Sequence, residues 1–226
     1  MSGNATFINK FGTREDAGRQ LAKRLAKFAA AGDTVVLGMP RGGVSVGVEI
    51  ARLLKLPFDV LLMSRITTPG CGKMPLGAIT SGGVRVLNGA MIDRLRLSDR
   101  EVRDAVLKVA VQLARHEKNY RCKRPPIDVA DRNVILTDDG TTDFTIICDA
   151  IHLLRRQHAE QVVVAVPAAC HHSLCDIRLE ADDVVTLAEP SNDFPASRWF
   201  EDFTTPSSED IRGIMESLPQ HDESLN

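Results

Sequence analysis

Apolar positions along this 226-residue chain alternate between short continuous runs and longer stripes with a period near 3.6. Thr13 can cap a helix carried by Ala17, Leu21, Leu25 and Phe28, and Ala30-Ala31-Gly32-Asp33 ends it. Thr34 to Leu37 then reads as a strand and Val44 to Leu54 as a helix. Pro57 introduces a strand Phe58 to Met63, followed by a loop over 66–75 that holds two prolines, two glycines and a lysine. Leu76 to Ile79 and Val84 to Leu87, joined across Ser81-Gly82-Gly83, predict a hairpin. Ser98 and Glu101 form the signature of a capping box, opening a long helix buried along Val102, Val106, Val109 and Leu113. Pro125-Pro126 bars its continuation. A strand ending at Thr137, a helix to about Gln157, a strand Val162 to Val166, a short helix and a strand Val184 to Leu187 follow. Residues 189–206 are loop-rich, and Ser208 to Leu218 read as a last helix. Alternating helices and near-continuous apolar strands predict an α/β fold, a mainly parallel twisted sheet with helices on both faces. A β-hairpin and flap are expected over its carboxyl edge. Residues 1–218 are expected to form one domain, and 219–226 a polar tail.

Composition narrows the function class. Hydrophobic residues make up 43% and charged residues 26%, which suits a water-soluble protein. A net charge of −2 provides no global basic field, so no nucleic-acid partner is expected. The basic stretch Arg115 to Arg124 reads as a solvated helix end and loop. No apolar run has the length of a membrane span and no signal-peptide core is visible, so no membrane partner and a cytoplasmic location are expected. The five cysteines, Cys71, Cys122, Cys148, Cys170 and Cys175, are scattered and odd in number, as free thiols of a reducing compartment would be. Cys170-His171-His172-Ser173-Leu174-Cys175 lacks zinc-type spacing, because cysteines five apart diverge on a helix, and a structural role is read there. His152 and His158 lie on a predicted helix without an evident catalytic partner.

Two strand ends carry the chemistry. Val134-Ile135-Leu136-Thr137-Asp138-Asp139-Gly140 delivers two carboxylates to the carboxyl edge of a parallel strand, where open sheets bind ligands. Asp138 and Asp139 could hold sugar hydroxyls or a hydrated Mg²⁺, or serve as an acidic helix cap. Val35 to Gly43 is a second apolar strand running into a glycine turn. There Gly42 and Gly43 expose N–H groups at a helix N-terminus and Arg41 adds a cation. Pro40-Arg41-Gly42-Gly43 could be turn chemistry alone. A phosphate-type turn and a ribose- or Mg²⁺-type turn at two strand ends of one chain favour a ligand site.

The order Leu37-Gly38-Met39-Pro40-Arg41-Gly42-Gly43, Thr68-Pro69-Gly70, Leu76-Gly77-Ala78 and Val134 to Gly140 resembles the type I phosphoribosyltransferases, and among them the stand-alone bacterial group. Val162 to Pro167 and Trp199-Phe200-Glu201-Asp202-Phe203 match as well, so the resemblance covers roughly residues 7–215. It implies a small-molecule partner, phosphoribosyl pyrophosphate or a nucleotide, with Mg²⁺ as cofactor. The implied activity is Mg²⁺-dependent transfer of the phosphoribosyl group to an acceptor that no motif identifies. By motif, Asp138 and Asp139 would hold the ribose hydroxyls directly or through Mg²⁺, and Pro40, Arg41, Gly42 and Gly43 would form the pyrophosphate loop. Arg65 stands where relatives usually carry a lysine, and joins the two acids as an expected catalytic residue. Gly140, Thr141, Thr142 and Thr145 fall in the ribose and 5′-phosphate loop. Residues 66–75 would be a closing flap, with Lys73 either neutralising pyrophosphate or merely solvated. A homodimer is open to such a chain.

The chain departs from the family immediately after its acids. Relatives usually follow Asp-Asp-Gly, after one or two residues, with Thr-Gly-Ala-Thr or Thr-Gly-Ser-Thr. Here an ungapped match puts Asp143 at the threonine, Phe144 at the glycine and Ile146 at the second threonine. A carboxylate at a helix N-terminus opposes phosphate, a phenylalanine blocks close backbone approach, and an isoleucine removes a donor. A slip of one residue would align Thr142 and Thr145 with the two threonines but keep the charge. Three readings follow: a transferase, a catalytically silent nucleotide- or phosphate-binding regulatory protein on the same fold, and, more weakly, a Mg²⁺-dependent hydrolase.

Overall fold

The computed structural model describes residues 10–68, 74–121, 124–140, 144–192 and 195–219. In chain order its elements are α1 (Arg14–Arg24), β1 (Thr34–Gly38), α2 (Gly42–Leu54), β2 (Phe58–Val60), β3 (Met63–Thr67), β4 (Pro75–Thr80), β5 (Arg85–Leu87), α3 (Gly89–Arg94), α4 (Asp99–Arg121), β6 (Asn133–Thr137), α5 (Phe144–Arg156), β7 (Gln161–Ala168), α6 (His171–Glu180), β8 (Asp183–Ala188) and α7 (Ser208–Ser217). Five strands form a parallel sheet in the order β2-β1-β6-β7-β8, and β3-β4-β5 form a separate antiparallel sheet.

Side chains of successive strand residues point to opposite faces, and both faces of the parallel sheet are covered. Val36, Ile135 and Val163 pack with Leu21 of α1, Leu25 at its C-terminal end, and Val46 and Ile50 of α2. Their neighbours Val35, Leu37, Val134, Leu136, Val162 and Val164 pack with Ile147, Ile151 and Leu154 of α5 and Leu174 and Ile177 of α6. This two-sided burial is why the strands read as unbroken apolar runs. The helix starts follow the sequence signals. Thr13 Oγ1 accepts from Asp16 N at 3.2 Å, and Ser98 and Glu101 close their capping box at 3.3 and 2.8 Å.

One expected strand divides. Phe58 to Met63 does not run straight through, since β2 stops at Val60 and β3 starts at Met63 in the other sheet. Leu61 N donates to Gly38 O of β1 at 2.9 Å, while Leu62 O accepts from Ser81 N beyond β4 at 2.9 Å. Both leucines are buried, in different clusters, so an apolar run conceals a change of sheet. β3 thereby adds a third strand to the expected hairpin. Ile66, Thr67 and Pro75, expected in the loop, are strand residues, while 69–73 lie outside the described residues. The short helix α3 was not anticipated; Asn88 Oδ1 caps it by accepting from Met91 N at 3.0 Å.

α4 lies across β3, β4 and α7 and buries Val106, Val109 and Leu113 as expected, and Ala105 besides, while Val102, expected in the same stripe, is only half-buried. Its last residue, Arg121, is buried and paired with Asp59 of β2, and also donates to Val60 O at 2.6 Å. Asp59 Oδ2 accepts from Ile127 N at 3.0 Å as well. The pair ties the end of α4 to the strand that leads into residues 62–65. Among the described residues no helix is long and apolar enough to cross a membrane.

Candidate functional site

The carboxyl ends of β1, β2 and β6 open into one cleft of about 580 Å³. Pro40, Arg41 and Gly42 enter it after β1, Leu62 to Arg65 after β2, and Asp138 and Asp139 after β6. α4 contributes Leu113, His116 and Tyr120 to a wall, and Arg14, Met39, Ile146, Ile147, Phe203 and Thr205 also line it.

The two sequence-predicted turns interlock. Met39 N donates to Thr137 O at 2.9 Å, and Thr137 Oγ1 donates to Gly43 O at 2.8 Å. A Cβ on Gly42 would come within 1.8 Å of Asp139 Oδ2, so the acid packs this closely only against glycine. Gly140 adopts φ +106, and a Cβ there would meet Ala168 O at 2.7 Å. Arg41, the residue before α2, holds φ 71 and ψ −111, a conformation costing a non-glycine residue about 1–3 kcal/mol. Its side chain is exposed and makes no ion pair with a described residue. Asp138 is buried, and its Oδ2 accepts from Gly140 N at 3.3 Å. Asp139 Oδ2 accepts from Arg14 Nε at 2.8 Å, with side-chain exposures of 16% and 4%. Arg14 is itself held by Thr204 O at 2.8 Å and by the Phe203 ring, 3.8 Å from its guanidinium carbon.

A family model for the phosphoribosyl transferase domain matches residues 8–197. The chain belongs to the phosphoribosyl transferase family. Two curated Mycobacterium tuberculosis proteins, each named as a candidate phosphoribosyl transferase, are 35% identical to it over 207 residues. The matches cover 91% of this chain and 46% of each relative, so the chain spans about half the length of the curated relatives it matches. The crystal structure of the protein TT1426 from Thermus thermophilus is similar throughout, with a TM-score of 0.81 and 31% identity over 91% of this chain and 97% of that one.

In this phosphoribosyl transferase chain, Pro40, Arg41, Gly42, Asp138, Asp139 and Arg65 line the same cleft. Gly43 and Gly140 shape the turns behind it. Arg65 lies on β3 opposite Ala78, and its Nε donates to Asp149 Oδ2 of α5 at 2.8 Å. A second nitrogen of Arg65 donates to Thr145 Oγ1, so that hydroxyl serves a protein partner. Thr141, Thr142, Asp143 and Lys73 lie outside the described residues. Phe144 opens α5 with its ring edge-on to His172, centroids 6.2 Å apart, and Ile146 reaches the cleft.

Among the described residues no group of three or more His, Cys, Asp or Glu could cage a metal. Mg²⁺, however, keeps several waters and takes one or two carboxylates beside a substrate's phosphates. Asp138 and Asp139 at the mouth of a cleft fit that donor set, even with one Asp139 oxygen committed to Arg14.

Sequence reading missed Arg14, whose partner is 125 positions away, with no local signal to expose it. It also missed His116 and Tyr120, although a signal existed. They continue the stripe Val109, Leu113 at helical spacing, and a stripe that turns polar at a helix end marks a wet, ligand-facing surface.

Proposed function

We propose that this chain binds phosphoribosyl pyrophosphate or a nucleotide in the carboxyl-edge cleft and transfers the phosphoribosyl group to an acceptor with the help of Mg²⁺. The carrying observation is that one cleft gathers a glycine turn bearing an exposed arginine and a turn with two acids. The N–H groups of Gly42 and Gly43 and the Arg41 guanidinium would take the pyrophosphate. Asp138 and Asp139 would hold the ribose hydroxyls and the metal, which when bound offsets charge on the leaving group. Arg65, held by Asp149, presents a fixed cation at the rim. Leu62 and Leu113 would keep water from a substrate prone to hydrolysis. The acceptor would enter beside His116 and Tyr120 of α4.

A second reading, a catalytically silent nucleotide-binding regulator, is favoured by the Arg14–Asp139 pair and by Phe144 at the phosphate turn. Calorimetric titration with phosphoribosyl pyrophosphate and Mg²⁺, followed by phosphorus NMR for pyrophosphate release, separates the two. Binding with release supports the transferase, and binding without release across a panel of nucleobases supports the regulator. Absence of binding by the native chain even at millimolar ligand, or unchanged binding after Asp138→Asn with Asp139→Asn in a folded protein, refutes the site for both.

A further inference from the structure

Away from the cleft, α6 carries His171, Cys175 and Arg178 at positions i, i+4 and i+7, which share one helix face. Glu189, just past β8, meets that face. His171 Nδ1 is hydrogen-bonded to Glu189 Oε1, and Cys175 Sγ lies 3.6 Å from His171 Nε2. A terminal nitrogen of Arg178 donates to Glu189 Oε2 at 3.1 Å. Hydrogen bonds from Arg178 and then His171 hold the Glu189 carboxyl below its ordinary range, so it stays ionised at neutral pH. An ionised Glu189 accepts from Nδ1–H and leaves the Nε2 lone pair facing the thiol. The geometry is that of a nucleophile, its base and a carboxylate orienting the base.

The other described cysteines lack this setting. Cys170 is buried with its sulfur against Ser173. Burial, then the carboxylates of Glu180, Asp149 and Asp176, push the Cys148 thiol up to about 11. Cys175 is exposed, and a shallow cleft of about 480 Å³ beside β8 shares Arg178 and Glu189 with the cluster.

We propose that Cys175, with His171 as base and Glu189 as the group orienting it, is a reactive-thiol site for low-molecular-weight disulfides. His171 Nε2 takes the thiol proton and the Cys175 thiolate attacks one sulfur of the disulfide. The new Cys175–sulfur bond forms as the old sulfur–sulfur bond breaks. The departing thiolate takes the proton from the imidazolium. Cys175 is oxidised and the leaving thiol reduced, with no other reactant. A disulfide suits the open setting because its leaving group is good, whereas ester or amide cleavage relies on enclosed oxyanion donors. None of these residues lines the transferase cleft, so the proposal is independent of that reading.

The test is to expose the full chain to oxidised glutathione at about pH 7.5 and follow the mixed disulfide at each cysteine by peptide mass mapping. Cys175 is expected to react at least about tenfold faster in the native chain than in the same chain unfolded in urea, a modest share of what a positioned base supplies. His171→Gln should remove that advantage while leaving the slow reaction of Cys148 unchanged, which reports that α5 and α6 still pack. Glu189→Gln, which keeps the imidazole but weakens its orientation, should cause a smaller loss in the same direction. A native Cys175 no faster than in the unfolded chain overturns the proposal. So does a His171→Gln protein in which Cys175 keeps its rate.

Discussion

Arg14 and Asp139 are joined by a 2.8 Å ion pair between the first turn of α1 and the acid that follows β6. The contact puts an almost fully buried cation behind one of the two carboxylates of the cleft. It also connects that carboxylate, through Thr204 and Phe203, to the segment leading to α7. Asp139 is thus part scaffold, whereas Asp138 Oδ2 accepts from Gly140 N within its own turn.

The first prediction is energetic coupling between Arg14 and Asp139. A hydrogen bond to a charged group contributes about 1.5–3 kcal/mol, and removing one partner leaves the other charge uncompensated. In a double-mutant cycle with Arg14→Met and Asp139→Asn, each single variant should lose stability. The double variant should lose less than the sum, with a coupling near ~2 kcal/mol. Urea unfolding measures it. Strict additivity would mean that the pair, though buried, contributes no coupling to stability.

Arg41 yields a prediction in which stability and binding move in opposite directions. Its φ of 71 suits glycine, so Arg41→Gly relieves strain and should raise stability by about 1 kcal/mol, net of glycine's larger unfolded-state entropy. For a chain of this size that is a rise of roughly 2–4 °C in Tm. The same change deletes the cation of the proposed pyrophosphate turn and should weaken pyrophosphate binding at least tenfold, about 1.4 kcal/mol. A variant that is more stable and binds unchanged would remove Arg41 from the site.

The buried Arg121–Asp59 pair should be costly to break. Arg121→Ala leaves Asp59 buried without its cation, and such losses run to about 3–5 kcal/mol. Calorimetric unfolding of the variant checks it. A loss below about 1 kcal/mol would show that water reaches Asp59 once the arginine is gone.

Much of the fold was legible because its physics is local. The caps at Thr13 and Ser98, the buried stripe of α4 and the apolar strands of the parallel sheet each depend on residues within a few positions of one another. The candidate carboxyl-edge site was legible for a related reason, since Gly42-Gly43 open the helix just past β1 and Asp138-Asp139 directly follow β6. What escaped was set by tertiary partners. Leu61-Leu62 is apolar on either side of a sheet change, so hydrophobicity could not reveal the break. Arg65 is paired by Asp149, 84 positions away, and Cys175 and His171 meet a carboxylate that only the packing of β8 beside α6 supplies. Spacing excludes zinc from Cys170 to Cys175 and so favours a structural reading there, but spacing has no bearing on Glu189.

The last prediction concerns the sequence between Gly140 and α5. Phe144 rests against His172 and Ile146 reaches the cleft, and in the ungapped match they stand where the family usually carries a glycine and a threonine. With Asp143 preceding them, native affinity for phosphoribosyl pyrophosphate is expected to be weak and its turnover poor. At an effective dielectric near 20, a carboxylate about 4 Å from a unit phosphate charge opposes it by roughly 4 kcal/mol before screening. That is nearly three decades of affinity at ~1.4 kcal/mol each, an upper bound that loop rearrangement or a bound cation would reduce. Asp143→Thr, Phe144→Gly and Ile146→Thr together should tighten binding at least tenfold. Because Phe144 and Ile146 pack against the core, the same variant should also lose some stability, and Asp143→Thr alone isolates the charge. Calorimetry on both variants decides between the causes. If the single change recovers most of the gain, repulsion is the obstacle; if only the triple change does, it is the bulk of the two apolar side chains. Low-micromolar binding by the native chain, or no gain in either variant, would leave ordinary phosphoribosyl transfer as the better account of this sequence.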